Sequence, residues 1–250
     1  DPKSPNVLID YGGIFSVMRN DEDDPDRRYA MVHTGWGPGH TDGTSPDHHP
    51  VHNAGVAFSP DGLHWTMMQK EPVIVDGMMD SQNLTFWDPC QKKYFAYYRD
   101  FKNKKGDTRK YAKHEFYLRD RDVRVATSAD FVNWTKGDWV NWRPDRVTQI
   151  YTTQTQLYPG AEHLRIGFPM RYVPGRGRFS QLNERIAKSS AYYASVYTDT
   201  GFISSRDGRK WERVGDRKRI LEMGRRGEWD GGFIRCAKSF VEDGDELRLY

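Results

Sequence analysis

Short apolar runs separated by turn-forming residues dominate this chain, and long stretches of helical periodicity are missing. Val56-Ala57-Phe58, Val125-Ala126 and Phe202-Ile203 each precede one pattern, Ser-x-Asp-x-x-x-Trp. The three copies are Ser59, Asp61 and Trp65, then Ser128, Asp130 and Trp134, then Ser205, Asp207 and Trp211. Two of them carry Asp-Gly, so each predicts a strand, a tight turn and a Trp opening the next strand. The tryptophans recur roughly every 70 to 77 positions, room for four strands and one long loop.

Each repeat can be read in full. Unit one has Ile14 to Met18, a turn at Asp24-Pro25-Asp26, and Tyr29 to His33. Unit two has Leu84 to Trp87, a turn at Asp88-Pro89, and Tyr94 to Tyr98. Unit three has Thr155 to Tyr158, a Pro159-Gly160 turn, and Leu164 to Arg171, and a fourth unit starts at Phe233. Repeated four-stranded units of this kind are the blades of a β-propeller. The chain is expected to be a single propeller domain over 1–250, with blades at about 6–75, 76–145, 146–222 and 223–250. Because Glu246-Leu247-Arg248-Leu249-Tyr250 reads as a strand just opening, the expectation is a truncated chain of three full blades and part of a fourth.

Composition agrees with an all-β chain. Eight Trp, fourteen Tyr and twelve Phe accompany 23 Gly and 13 Pro, which suits short strands and frequent turns. Net charge is only +3 and the basic residues are scattered, which argues against a nucleic-acid partner. No run of eighteen apolar residues suggests a membrane span, and the first residues carry no signal peptide. A secreted or periplasmic location therefore needs an export signal upstream. Cys90 and Cys236 assign no disulfide, because pairing depends on distance.

In a propeller blade, the loop between the second and third strands returns to the face where the innermost strand begins. The long insertions at about 34–54, 101–121 and 172–194 all fall in that loop, so function is expected on their side. The Ser-x-Asp-x-x-x-Trp turns fall on the other face, with a structural role expected: the Asp bonds turn amides and the Trp fills space between blades. His40, Asp42, Asp47, His48, His49 and His52 follow no zinc template and read as a solvated lid, so neither metal nor cofactor is expected. Lys102, Lys104, Lys105, Arg109, Lys110 and Lys113 read as a wet rim that helps attract an anionic glycan.

The repeated hairpin resembles that of invertase-like, arabinanase-like and sucrase-like glycoside hydrolases. Asp80-Ser81-x-Asn83 before Phe86-Trp87-Asp88, and Trp229-Asp230-x-Gly232, are closer still to bacterial proteins grouped with the invertase N-terminal domain. This resemblance implies a five-bladed propeller with acids at the starts of the innermost strands. The family's Asn-Asp-Pro-Asn-Gly stretch corresponds to Ile9-Asp10-Tyr11-Gly12-Gly13, where Asp10 and one glycine match. Its Arg-Asp-Pro motif corresponds to Met79-Asp80-Ser81, which keeps the acid and loses the arginine. Its Glu-Cys motif, the source of the general acid, falls at Tyr151-Thr152-Thr153-Gln154, which has no carboxylate. Glu228 or Asp230, immediately before the fourth unit, is then the replacement.

Glycoside cleavage needs one acid to protonate the leaving oxygen and a second carboxylate to attack or to activate water. The resemblance implies Asp80 as nucleophile, base or stabiliser, Glu228 or Asp230 as proton donor, and Asp10 as a further acid. Sugar binding needs flat apolar faces and hydrogen-bonding forks, which Trp229, Tyr151, Gln154 and Asn83 offer at strand starts and His33, Arg99 and Arg171 at the ends of second strands. The two arginines suit a carboxylate or sulfate on an acidic sugar; the alternative is a pairing with a neighbour such as Asp100. Two competing readings are a non-catalytic carbohydrate-binding propeller, motivated by the acid missing from unit three, and a sialidase, whose turns also carry Ser-x-Asp and Trp.

Overall fold

The computed structural model describes residues 13–20, 24–34, 53–69, 71–79, 82–103, 119–143, 149–173, 197–215, 218–221, 223–225, 228–238 and 240–250. Among them there is no α-helix, only a 3₁₀ turn at Pro25–Arg27 capped by Asp24, so the chain is all-β. It divides into two compact units, residues 1–120 with 124–139, and residues 121–123 with 140–250.

The first unit holds two four-stranded antiparallel sheets. One is β1 (Gly13–Arg19), β2 (Tyr29–Thr34), β3 (Ala54–Ser59) and β4 (Thr66–Met67), in that order. The other is β5 (Leu84–Asp88), β6 (Lys93–Lys102), β7 (Asp120–Ser128) and β8 (Asp138–Trp139), also in chain order. Strands β2 and β6 are near-continuous apolar runs because each is covered on both faces. Val32, Val56 and Phe58 of the first sheet pack with Tyr94, Ala96 and Tyr98 of the second and with Phe131 in the turn after β7, removing their apolar area from water. The two first strands lie side by side: the Thr85 amide donates to Ser16 Oγ at 3.0 Å, and the Tyr94 hydroxyl donates to Asn20 Oδ1 at 2.6 Å. The linker between the sheets is tied down by Asp76, whose Oδ1 accepts from the Tyr98 hydroxyl at 2.7 Å and whose Oδ2 accepts from the Gly137 amide at 2.9 Å. A β-carbon at Gly137 would overlap that same Tyr98 hydroxyl.

In the second unit, β9 (Asn141–Arg143) is followed by strands that break in mid-course: β10 (Gln149–Thr152) and β11 (Thr155–Tyr158), β12 (Ala161–Gly167) and β13 (Met170–Val173), β14 (Tyr197–Thr200) and β15 (Ile203–Ser205). With β16 (Lys210–Arg213) they form two sheets, β10-β13-β14 and β11-β12-β15-β16-β9. The strand expected from Leu164 to Arg171 is thus interrupted, because Pro169 has no amide to give to a ladder. Opposite it, Gln154 takes φ 42°. The breaks stay bridged by Phe168 N to Gln154 O at 3.3 Å and Gly201 N to Pro169 O at 3.0 Å. Strand β9 runs parallel to β16, pairs Trp142 with Trp211, and covers what would be an open edge.

The strand expected at Phe233 is a second correction. Residues 232–234 make only an isolated parallel bridge beside β14, with the Thr198 amide donating to Gly232 O and the Ile234 amide to Thr198 O. The strands of this stretch come later, as the hairpin β17 (Val241–Asp243) and β18 (Glu246–Arg248). Phe240 and Leu249 at its base pack on Ile166, Phe168 and Cys236. Both cysteines are free thiols.

The three Ser-x-Asp-x-x-x-Trp copies form one hydrogen-bonded turn, repeated. In each, the Asp Oδ1 accepts from two backbone amides at 2.7–2.9 Å: Leu63 and His64, Val132 and Asn133, Arg209 and Lys210. The Trp Nε1 donates back to the residue after the Asp at 2.9–3.1 Å: Gly62, Phe131 or Gly208. That residue has positive φ, 80°, 66° and 73° in turn, a conformation suited to glycine. Phe131 adopts it nonetheless, because its buried ring packs against Phe58, Tyr94 and Trp134.

Burial alone would raise the Asp130 carboxyl, but the Asn133 amide and side chain, the Val132 amide and the Ser128 hydroxyl outweigh it and hold its pKa down at about 2. An unfolded Asp titrates near 3.9, so this turn adds stability above that pH and loses it as pH falls toward 2. Asp130→Asn should therefore flatten the pH dependence of the urea midpoint between about pH 4 and pH 2. Since Asp130 faces solvent, the loss at neutral pH should be under about 1 kcal/mol.

Candidate functional site

In the first unit two of the expected site residues, Asn83 and Arg99, meet just before β5 and near the end of β6. Asn83 and Arg99 are both buried polar side chains. The Arg99 amide donates to Asn83 Oδ1 at 2.9 Å, its Nε donates to the Met78 carbonyl at 2.9 Å, and the Met78 amide returns a bond to the Arg99 carbonyl. Arg99 thereby fixes the backbone two residues before Asp80 and the side chain three residues after it; Asp80 itself lies outside the described residues, as does Asp10. The guanidinium of Arg99 stacks on Phe101 with its carbon 4.7 Å from the ring centre. The neighbour Asp100 is taken by Arg124, 2.7 Å away.

His33, next to last in β2, is buried, and among the described residues neither of its ring nitrogens has a hydrogen-bond partner. Its ring lies over Gly55 of β3, where a β-carbon would come within 2.7 Å of Nε2. Burial holds its pKa below the ordinary imidazole value, so the ring is neutral at pH 7.

In the second unit, Arg171 is given over to Asp199. Its Nε and Nη2 meet the two carboxylate oxygens at 2.5 and 2.8 Å, and Arg219 Nε joins Oδ2 at 2.9 Å. The Asp199 side chain is 1% exposed. Arg171 thus pairs with a carboxylate from the neighbouring strand. Asp199 and Arg219 escaped the sequence reading; the signal was an acid in the middle of the short strand Tyr197–Thr200. Tyr151 is half-buried, and Arg121 lies with its guanidinium carbon 3.9 Å from the Tyr172 ring centre and 5.8 Å from that of Tyr151. Gln154 is fully buried, its Nε2 donating to Thr152 Oγ1 at 2.5 Å. The stretch Thr152-Thr153-Gln154-Thr155 is therefore a buried polar ladder without an acid.

Glu228, Trp229 and Asp230 sit on a turn closed by Glu228 N to Arg225 O at 3.0 Å and Gly231 N to Glu228 O at 3.1 Å. Glu228 Oε2 also accepts from the Arg225 amide. Trp229 is 97% exposed, leaving both faces of its indole to solvent. Among the described residues no three His, Cys, Asp or Glu side chains are grouped to hold a metal ion, and the segment from His40 to His52 lies outside those residues.

No family model matches the chain, and no curated protein matches it. Solved structures do. A candidate glycoside hydrolase from Parabacteroides distasonis superposes on 95% of this chain with a TM-score of 0.52 at 13% identity, and one from Bacteroides ovatus on 85% with a TM-score of 0.50 at 12% identity. This chain therefore shares an all-β fold with those two structures. This chain spans 61% and 53% of those two structures. At such identities the likeness concerns the fold, and chemistry has to be argued from the residues themselves.

Proposed function

We propose that this protein is a glycoside hydrolase built as a single five-bladed propeller domain, with Asp80 as nucleophile, base or stabiliser and Glu228 or Asp230 as proton donor. The observation that carries this reading is the Arg99 clamp: the side chain of this buried arginine donates to the Met78 carbonyl and its amide to Asn83, and these two residues bracket Asp80 in sequence. Side chains that carry chemistry need rigid support of this kind. The exposed Trp229 ring suits stacking on the apolar face of a sugar. Asp10 is the second candidate acid at a strand start. Neutral His33 can both donate to and accept from a hydroxyl.

The test is incubation of the full chain with a panel of neutral and acidic oligosaccharides, reading released reducing ends together with binding. Hydrolysis of at least one substrate is expected. The competing reading, a carbohydrate-binding propeller without activity, draws support from the absence of an acid at Tyr151-Thr152-Thr153-Gln154. Its signature is saturable glycan binding with no sugar released across the panel.

A further inference from the structure

Gly224 is the residue against which both carboxylates of the Glu228–Asp230 turn come to rest. A β-carbon there would overlap Asp230 Oδ1 and lie 2.8 Å from Glu228 Oε2. Its φ is outside the left-handed region, so the backbone does not require glycine at this position. What it requires is room for two side-chain ends. Gly231, in the same turn, differs: its β-carbon would press on the Arg225 carbonyl oxygen at 2.5 Å and the Glu228 carbonyl oxygen at 3.2 Å, both backbone atoms that cannot give way without opening the turn.

The two acids also differ from each other. Glu228 is spent on the turn, its Oε2 accepting from the Arg225 amide. Among the described residues nothing donates a hydrogen bond to the Asp230 carboxylate, which is half-buried over Gly224, while Glu228 is exposed. We propose that Asp230 is the proton donor, that Glu228 holds the turn, and that Gly224 is a positioning residue whose missing side chain lets the Asp230 carboxyl reach its working place. This rests on the glycoside hydrolase reading above and chooses between the two acids it left open. In the step assigned to Asp230, the glycosidic C–O bond breaks and its electron pair stays on the leaving oxygen, which takes the proton from the Asp230 carboxyl. Water supplies the hydroxyl to the anomeric carbon and returns a proton to the enzyme.

The test uses paired substrates of one sugar, a methyl glycoside, whose leaving oxygen needs a proton, and a 2,4-dinitrophenyl glycoside, whose leaving group departs without one. Gly224→Ala should fold as the parent does, because the collision falls on side-chain ends. Misplacing the acid by about 1 Å should lower kcat on the methyl glycoside by roughly 10²-fold, with KM and the dinitrophenyl rate nearly unchanged. Asp230→Asn should show the same split more strongly, and Gly231→Ala should lower Tm instead. If Asp230→Asn hydrolyses the methyl glycoside at the parental rate, the donor assignment fails and Gly224 has nothing to position. If Asp230→Asn is impaired but Gly224→Ala is not, the donor stands and the role of Gly224 is overturned. Equal loss on both substrates, or a lower Tm for Gly224→Ala, would show a structural role only and overturn it as well.

Discussion

Replacing Asp80 by Asn is expected to lower the rate of sugar release about 10²- to 10⁴-fold while leaving glycan affinity within severalfold of the parent. The amide has the carboxylate's shape but can neither attack an anomeric carbon nor take a proton from water. The bonds from Arg99 to Met78 and Asn83 are not made by the side chain at position 80, so the substitution leaves both in place. Substrate binding should thus survive, and the loss should appear in kcat with little change in KM. Sugar release by the variant at the parental rate would remove Asp80 from the chemistry.

The largest stability effect is expected at Asp199. Asp199→Ala leaves the Arg171 and Arg219 guanidiniums facing one another with the shared carboxylate gone from a site where it was 1% exposed. Removing one partner of a buried ion pair costs about 3–5 kcal/mol, and the partial exposure of both arginines places this case near the lower end. The urea midpoint should fall accordingly. Asp199→Leu combined with Arg171→Met should recover part of the loss, since it removes a stranded charge and refills the volume. An unchanged midpoint for Asp199→Ala would mean that the cluster adds nothing to the fold.

Asp199 also shows where reading the chain alone reaches its limit. The Trp turns were legible because the side-chain bonds that shape them close within five residues, from Ser59 to Trp65 and from Ser205 to Trp211. Asn83, Arg99, His33 and Gln154 were singled out by their places at strand ends, and all four prove to be buried polar side chains. The break at Gln154 and Pro169 was missed, although a proline inside an apolar run is a recognised obstacle to a ladder. Arg219 lies 20 positions from Asp199, and no local pattern links them. The same holds for Gly224, whose importance depends on where the side chains of residues 228 and 230 turn.

The order of residues by itself determined the strand-turn-Trp unit, its repetition, the all-β class and the resemblance to propeller hydrolases, since alternation, turn chemistry and a carboxylate that reaches its own neighbouring amides act over a few bonds. Only tertiary structure decided that Arg171 answers Asp199, that Arg99 meets Met78 and Asn83, that β9 closes the edge of β16, and that two acids share the space above one glycine. Those outcomes depend on which distant segments meet, and burial then forces each charge or donor brought together to find a partner.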